Sequence, residues 1–450
     1  MRLIGYYLRL ALRSLRRTPV MTGLMVCAIG LGIGASMTML TVLHVMTQDP
    51  MPGRSQSLFA PWLDPRPLDY QDPQGYGNPA DSLTWTDAKA LLEAHRAVHQ
   101  AAMAKGWANI WPARADALPD DVDGRFATSE FFDLFDVPFE RGRGWTAQDD
   151  RNHARVVVLS HAVARQVFGS LDPLGREVRF DDATLRVIGV TQPWAPRPLF
   201  YDSLSSKGDA GAQGAFGEGD GFFVPLDTAL DLGLSRNGRA YQIAAPSGIP
   251  ENEDESRSPY TLWLQFWVQL DTPTQARTYT EFLHRYATQQ HASGRYQRDA
   301  GSARLYTLMD WLRYQDLVPR DVRLQLILAI GFFCICLTNV VALLLAKFLR
   351  RGGEIGVRRA LGARRVDIFL QLGAEALVIG ALGGLLGILV AQLGLWSVRQ
   401  RPDSYAHLAH MDIDMLLLAV VASIVAALVA GLLPAWRASR IVPALQIKAL

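Results

Sequence analysis

The amino-acid sequence predicts a membrane protein with four transmembrane α-helices and a large α+β extracytoplasmic domain inserted between helices 1 and 2. Two observations predict this architecture. Four stretches contain no Asp, Glu, Lys or Arg and are almost wholly apolar, and about 20 such residues are enough to cross a bilayer as a helix. The first two stretches are separated by a long segment of mixed composition, whereas the later ones follow each other closely. The four stretches are Val20–Met46, Leu324–Ala346, Ala376–Val398 and Met415–Trp436.

The basic residues indicate how these helices are oriented. Residues 2–17 contain several arginines and no acidic residue, and the 347–375 segment and the C-terminal tail are also rich in Arg and Lys. The positive-inside rule assigns such segments to the cytoplasm. The 47–323 segment, in which acidic residues outnumber basic ones, is then outside. We therefore expect a multi-pass protein with both termini in the cytoplasm.

These observations predict boundaries for each segment in chain order. The first apolar run is longer than the roughly 7–15 apolar residues of a signal peptide and ends without a small-x-small cleavage site, so we expect it to remain as a helix. The predicted segments are a cytoplasmic amphipathic N-terminal helix (1–18), transmembrane helix 1 (19–46), the extracytoplasmic domain (47–323) with a middle subdomain at about 124–245, transmembrane helix 2 (324–346), a cytoplasmic coupling loop (347–375), transmembrane helix 3 (376–398), a short external loop (399–414), transmembrane helix 4 (415–436) and a cytoplasmic tail (437–450).

Local patterns predict both helices and strands in the external segment. Apolar residues at helical spacing predict helices, and β-branched or alternating apolar runs predict strands. All three cysteines of the chain lie within the apolar stretches, so no disulfide is predicted in this domain. The role of the Gly-rich residues 203–222 stays open. The predicted helices are Asp87–Gln100, His161–Phe168 and Thr272–Gln290, and the predicted strands are Arg155–Ser160, Glu177–Phe180, Thr184–Val190 and Tyr260–Leu270.

The sequence predicts no catalytic, cofactor-binding or metal site. No G-x-x-x-x-G-K-[ST] string occurs, so the sequence has no P-loop for ATP. His95 and His99 are four residues apart on a predicted helix, a spacing that can present two imidazoles to a metal, but no third ligand is evident. A second candidate lies just before the fourth apolar stretch, where His407 and His410 are three residues apart and Asp412 and Asp414 follow. We interpret both pairs as ordinary surface histidines.

Glycines at a spacing of four residues occur in the first and third apolar stretches. Gly30 and Gly34 form one such pair, and Gly380 and Gly384 form another. In membranes this G-x-x-x-G spacing allows two helix backbones to approach closely. We assign these four glycines to helix packing.

The segment Arg350–Glu375 is the most specific part of the sequence. It predicts a short amphipathic cytoplasmic helix with apolar residues on one side and arginines on the other. A simple positive-inside loop would explain the arginines alone. The string EIGVRRALGA at 354–363 is more specific than topology requires, which favours a docking function.

This segment carries a resemblance to a known family. EIGVRRALGARRVDIFLQ (354–371) closely resembles the motif after the second span in MacB/FtsX-type (type VII) ABC transporter permeases. The stretch VVVLSHAVARQVFGSLDPLGREVRF (156–180) is similar to the external domain of that family, and LLPAWRASRIVPALQIKAL (432–450) is similar to its C-terminal ending. The order of spans agrees as well. The chain is identified as a MacB-like member with a large extracytoplasmic domain.

The resemblance implies a permease of the bacterial inner (cytoplasmic) membrane that works with ABC ATPase subunits. ATP and Mg would be bound by the partner ATPase dimer, so the chain itself is expected to be neither an enzyme nor a cofactor-binding protein. Its net charge of +2 also argues against a nucleic-acid partner. The further expected partners are a second permease subunit, identical or related, and the lipid bilayer, with a periplasmic adaptor and an outer-membrane channel as additional candidates.

In this family, ATP hydrolysis changes the conformation of the periplasmic domain, a mechanism called mechanotransmission. We expect that change to drive export or extrusion of a substrate. There are two alternatives. The chain could be a transmembrane signalling subunit that regulates an extracytoplasmic enzyme such as a peptidoglycan hydrolase, or it could be a lipoprotein-extraction permease. The size of the external domain favours export. The residues expected to couple the permease to the ATPase are Glu354, Ile355, Val357, Arg358, Arg359 and Leu361.

Overall fold

The computed structural model describes residues 10–11, 13–70, 81–112, 118–202, 214–236, 240–243, 254–298, 301, 303–402 and 405–439. Most of the predicted N-terminal amphipathic helix, half of the Gly-rich 203–222 segment and most of the 437–450 tail lie outside these residues. The chain divides into two compact units. We call Met1–Thr47 with Val318–Leu450 the membrane unit and Gln48–Leu317 the inserted domain.

Helices and strands alternate through the inserted domain, and long helices form the membrane unit. The helices are α1 (Pro19–Thr47), α2 (Trp85–Ala94), α3 (Phe131–Phe135), α4 (Ala147–Arg151), α5 (His161–Phe168), α6 (Leu226–Asp231), α7 (Pro273–Ala292), α8 (Leu308–Gln315), α9 (Arg320–Arg350), α10 (Gly352–Ala360), α11 (Arg365–Arg399) and α12 (Ile413–Ser439). The strands are β1 (Leu58–Trp62), β2 (Leu83–Thr84), β3 (His99–Trp111), β4 (Asp120–Ala127), β5 (Phe139–Gly142), β6 (Val156–Ser160), β7 (Glu177–Phe180), β8 (Ala183–Thr191), β9 (Phe222–Pro225), β10 (Tyr241–Gln242), β11 (Thr261–Gln269) and β12 (Arg304–Thr307).

Four helices of the membrane unit are long and apolar enough to cross a bilayer. They are α1, α9, α11 and α12, with 29, 31, 35 and 27 residues. Each contains one of the four apolar stretches of the sequence and continues beyond it, most of all α11, which starts at Arg365. The inserted domain lies between the first and second of these helices in the chain. The predicted fold class is therefore confirmed.

Glycines lie where α1 packs against α11. A Cβ atom added to Gly30 would lie 2.8 Å from the side chain of Leu386, and one added to Gly34 would lie 2.5 Å from Cγ1 of Val390. Both distances are shorter than van der Waals contact. The two helices approach each other at these positions because glycine has no side chain there.

The same arrangement recurs between α11 and α12. Gly380 faces the Cα and Cβ atoms of Ala427, and a Cβ atom added to Gly384 would lie 2.5 Å from Cβ of Ser423. The four glycines assigned to packing from the sequence thus lie at two helix contacts, and α11 takes part in both.

In the inserted domain, the described strands form a twelve-stranded sheet. The main order is β12-β1-β11-β3-β4-β9-β6-β8-β5, with β2 and β10 paired to β11 and β7 paired to β3 and β8. The β4–β9 and β6–β8 pairs are parallel, and the other pairs are antiparallel. Strands of the predicted 124–245 subdomain continue this sheet from β3.

Both faces of the sheet are apolar, which follows from the sequence of its central strands. In β3, Ala102 and Ala104 belong to one buried core, whereas Ala101 and Met103 belong to the other. Successive side chains of a strand point to opposite faces, so a fully apolar strand supplies two cores. Helices α2, α5, α6 and α7 cover the first core, and α3 and α8 contribute to the second.

A buried arginine holds both ends of the Gly-rich segment against the sheet. Arg125 of β4 is fully buried, and its Nε and Nη2 atoms donate to the carboxylate of Asp220 at 2.8 and 3.1 Å. Its Nη2 atom also lies 3.6 Å from Asp202. Burial alone would lower the pKa of Arg125, but these carboxylates raise it above its usual value. Asp202 and Asp220 flank residues 203–213 of the chain.

One helix prediction was wrong at its C-terminal end. The helix expected over Asp87–Gln100 is α2, which ends at Ala94 because His95 adopts a left-handed conformation (φ 44°) and its N–H bonds to the carbonyl of Leu92. His99 is the first residue of β3, which pairs with β11. His95 and His99 therefore do not lie one turn apart on a helix, and the spacing considered for a metal does not exist.

We expect Gly34→Leu to destabilise the membrane unit by about 1–3 kcal/mol, because the new side chain must push α11 away from α1. The matched control is Gly23→Leu on the same helix, where an added Cβ meets no atom within 4 Å. The measurement is the midpoint of thermal unfolding of the detergent-purified chain. Equal midpoints for the two variants would show that the glycines are only tolerated.

Candidate functional site

Most of the string EIGVRRALGA (354–363) lies in a separate short helix, α10, between two long helices. Arg351, with φ −94° and ψ 11°, ends α9 and precedes the first residue of α10. Gly362 ends the helical segment with φ +101°, a conformation that residues with side chains rarely adopt. The N–H of Gly362 bonds to the carbonyl of Arg359. The α10 helix is thus bounded by a backbone change at each end.

The apolar residues of α10, taken with Leu361 directly after it, fall into two groups. Ile355 is 6% exposed and belongs to the buried core of the membrane unit, together with Phe348 of α9 and Leu372 of α11. Val357 and Leu361 are 50% and 83% exposed. Ile355 was assigned from the sequence to docking on a partner, and this assignment needs correction because the side chain holds α10 to its own bundle.

The charged residues of α10 are largely paired within the protein. The Nη2 atom of Arg358 donates to Glu354 at 2.6 Å, and its Nη1 atom donates to Oε1 of Gln371 in α11 at 2.9 Å. Glu354 also lies 3.7 Å from Arg351. Arg359 has an interaction partner as well. These contacts position α10 along α11, so two of the three charges expected to pair with a partner, Glu354 and Arg358, already fix the orientation of the helix.

A buried ion cluster lies beside this helix, and sequence reasoning missed it. Glu375 of α11 is fully buried; one oxygen accepts a hydrogen bond from Nη1 of Arg351 at 2.9 Å, and the other lies 3.3 Å from Nζ of Lys347. Lys347 is 3% exposed. Arg351 also donates to Oγ of Ser14 at 2.7 Å. We call Lys347, Arg351 and Glu375 the junction cluster.

The junction cluster connects three parts of the membrane unit. Lys347 lies in the last turn of α9, Arg351 lies at the α9–α10 boundary, and Glu375 lies in α11. Ser14 adds the segment before α1. Charges in a low-dielectric interior are stable only when they are paired with good geometry. The cluster therefore fixes the point at which α9 turns into α10. The sequence shows Glu375 at the start of the third span and Lys347 at the end of the second. Their positions alone do not indicate that the two side chains meet.

Two family models match the chain. The MacB-like periplasmic core domain matches residues 22–281, and the FtsX-like permease C-terminal domain matches residues 326–443. Together they cover most of the membrane unit and most of the inserted domain.

Individual proteins also resemble the chain. A macrolide export ATP-binding/permease protein MacB from Wolinella succinogenes is 26% identical over 98% of this chain and 60% of its own length. One of the same name from Brucella abortus is 39% identical over 24% of this chain and 16% of its own length. Among solved structures, the chain is similar to the crystal structure of the periplasmic region of MacB from Actinobacillus actinomycetemcomitans. The match has 15% sequence identity and a TM-score of 0.34, and it covers 58% of this chain and 94% of the chain in that structure. The chain spans about half the length of the curated relatives it matches.

We expect Glu375→Leu to destabilise the membrane unit by about 3–5 kcal/mol, because it leaves the buried Lys347 without a carboxylate and removes one of the two carboxylates near the partly buried Arg351. Adding Lys347→Met to this variant removes the unpaired charge and should restore part of the loss. The control is Glu354→Gln at a partly exposed pair, with an expected loss of about 1 kcal/mol or less. Denaturant titration of the purified chain measures all three. A loss for Glu375→Leu no larger than for Glu354→Gln would contradict the structural role of the cluster.

Proposed function

Because the chain belongs to the MacB/FtsX-like family of ABC transporter permeases, we propose that it is the membrane subunit through which a separate ATPase drives a conformational change of the inserted domain for export of a substrate. The observation that carries the proposal is α10. Val357 in this helix and Leu361 directly after it are exposed apolar side chains, while Ile355 and the paired charges hold the helix against the bundle.

The attachment of α10 supports a mechanical role. A force applied to Val357 and Leu361 passes to α9 through the junction cluster and to α11 through the bond between Arg358 and Gln371. In the chain, α9 follows the inserted domain directly, and α1 precedes it. Movement of these helices would therefore reach both ends of that domain through covalent bonds. In this mechanism the four helices transmit movement and need no channel of their own.

An ATPase is proposed as the partner of α10 because the relatives that the chain matches are named as ATP-binding/permease proteins, and no P-loop occurs within the 450 residues of this permease sequence. ATP and Mg would bind there, and this chain would contribute no catalytic residue. Docking of a short amphipathic helix into a groove is a common mode of protein recognition, and exposed apolar anchors supply most of its binding energy. We propose a dimer of ATPases and a pair of permeases, with an adaptor and an outer-membrane channel as further partners in a two-membrane cell.

Export is favoured over the regulation of an enzyme by the names of related proteins. Several relatives are named as macrolide export proteins, and one from Pseudomonas syringae, 24% identical over 60% of this chain and 34% of its own length, is named as a probable syringafactin export protein. These names support export as the class of function for this chain. They concern different kinds of molecule, so the substrate of this chain does not follow from them.

Leu361→Asp tests the coupling proposal. A buried, unpaired carboxylate at the interface should abolish ATPase copurification and stimulated ATP hydrolysis, whereas Leu361→Ala should weaken binding on the order of tenfold. The control is Leu118→Asp in the inserted domain, where the leucine is also 83% exposed. Unchanged binding and turnover in Leu361→Asp would show that the 347–375 segment is only a positively charged anchor.

The proposed orientation has the 347–375 segment in the cytoplasm and the inserted domain outside. In a chain whose three cysteines are replaced, Asp182→Cys and Arg365→Cys provide exposed single thiols in these two regions. A membrane-impermeant maleimide should label position 182 on intact spheroplasts and position 365 only after lysis. Labelling of position 365 on intact spheroplasts would overturn the orientation and, with it, contact between α10 and a cytoplasmic ATPase.

A further inference from the structure

A cleft open to solvent lies at one edge of the sheet in the inserted domain. Its volume is about 250 Å³, slightly below the range of roughly 300–1,000 Å³ that is usual for ligand pockets. Its walls are strand β5, helix α5 and the segment that follows α5, with Val190 of β8 beside them. Strand β5 is the last in the main order of the sheet, which places the cleft at the edge. The size suits one small molecule.

Helix α5 and the turn after it bring polar side chains to the cleft. His161 and Arg165 are four residues apart and share one face of the helix. The helix ends at Gly169, whose N–H bonds to the carbonyl of Arg165 at 2.8 Å and whose φ of +62° few other residues adopt. The chain turns there, and Ser170 and Leu171 line the cleft as well.

Two arginines line the cleft, and neither is held in a strong ion pair. Among the residues that the structure describes, the guanidinium of Arg165 has no ion-pair or hydrogen-bond partner. The Nη1 atom of Arg141 lies 3.5 Å from Asp172, but the two side chains are 54% and 61% exposed, and such pairs contribute little in water. A guanidinium has five N–H donors and is not deprotonated in proteins. The donors of Arg165 are therefore available to a ligand.

The acidic group in the wall of the cleft already has a partner. Among the described residues that line the cleft, Glu140 carries the one carboxylate, and its Oε2 atom bonds to Nδ1 of His161. This bond satisfies the carboxylate within the wall and orients the imidazole ring. The lining therefore presents two guanidinium groups and one paired carboxylate, a balance that favours an anion over a cation.

We propose that this cleft binds a small organic anion whose carboxylate or phosphate group is held by Arg165 and Arg141. The planar fork of N–H donors in a guanidinium matches the oxygens of both groups. Leu171, Pro173 and Val190 also line the cleft and give the carbon part of such a ligand an apolar contact. Leu171 is 51% exposed, and the ligand would cover part of that surface. The inference goes beyond the proposed function and does not depend on it, because every residue of the site lies in the inserted domain.

Labelling of a single cysteine measures the charge preference of the cleft. Ser170→Cys is introduced into the full-length chain whose own three cysteines are replaced, and the purified protein reacts with an anionic methanethiosulfonate (ethylsulfonate) or a cationic one (ethyltrimethylammonium). The ratio of the anionic to the cationic rate should exceed that of Ser293→Cys about fivefold or more, because a unit charge about 4 Å away has an effect of this order even in water. Ser293 is the matched control, an exposed serine that does not line the cleft. Equal ratios at positions 170 and 293 would overturn the proposal.

Arg165→Gln in the Ser170→Cys chain tests the arginine. The side chain has no partner to lose among the described residues, so a folding defect is not expected. The rate ratio should fall about threefold to fivefold. The control is Arg277→Gln, which removes the same charge from an exposed position of α7 outside the cleft and should leave the ratio unchanged. A ratio that Arg165→Gln leaves unchanged, or that falls equally in both variants, would contradict the proposal.

Protection from an uncharged reagent tests binding itself. Methyl methanethiosulfonate labels the Ser170→Cys chain while benzoate or phenyl phosphate replaces chloride at constant ionic strength. At least one of these anions should slow labelling at position 170 in a saturable manner, with no effect at position 293, and Arg165→Gln should remove the protection. The two probes share a phenyl ring, so their comparison shows whether the site prefers a carboxylate or a phosphate. Absence of saturable protection by both anions would overturn the proposal. Because no ATPase is present, the outcome is independent of the Leu361→Asp experiment.

Discussion

The membrane unit depends on the pairing of one buried carboxylate. Glu375 is fully enclosed, and it is stable as a charged group only because Arg351 and Lys347 approach it from the end of α9. This requirement fixes where α9 ends, and thereby where α10 begins and which of its side chains face outward. Ile355 then packs inward, and Val357 and Leu361 remain exposed. The junction cluster thus determines the proposed coupling surface, formed by Val357 and Leu361, although none of its own residues lies in that surface.

Sequence reasoning found the features that the bilayer or a local pattern determines. The four spans follow from length and apolarity, since a helix that crosses the hydrocarbon core of a bilayer must be about 20 residues long and predominantly apolar. Strands β6, β7 and β8 follow from β-branched and alternating residues. The sequence did not show that Lys347 meets Glu375, because that contact is set by how α9 packs against α11. It also did not show which apolar residues of α10 face the bundle, since an amphipathic pattern does not distinguish its own core from a partner. The end of α2 was misjudged because pairing of His99 with β11 outweighs local helix propensity.

The inserted domain is stabilised by the burial of apolar surface rather than by disulfide bonds. It contains no cysteine. A sheet with a core on each face can bury apolar residues at successive positions of a strand, as Ala101 and Ala102 of β3 illustrate. Polar clusters such as Arg125 with Asp220 then fix particular segments against that sheet.

The position of β1 has a consequence for biogenesis. This strand, near the beginning of the inserted domain, pairs on one side with β11 and on the other with β12, near its end. During synthesis β1 therefore has neither neighbour until almost the whole domain has been made. Contacts of such high sequence separation form slowly. Until the ribosome has passed residue 307, this apolar strand has at least one open edge, and unpaired strand edges are the kind of surface through which incompletely folded chains aggregate.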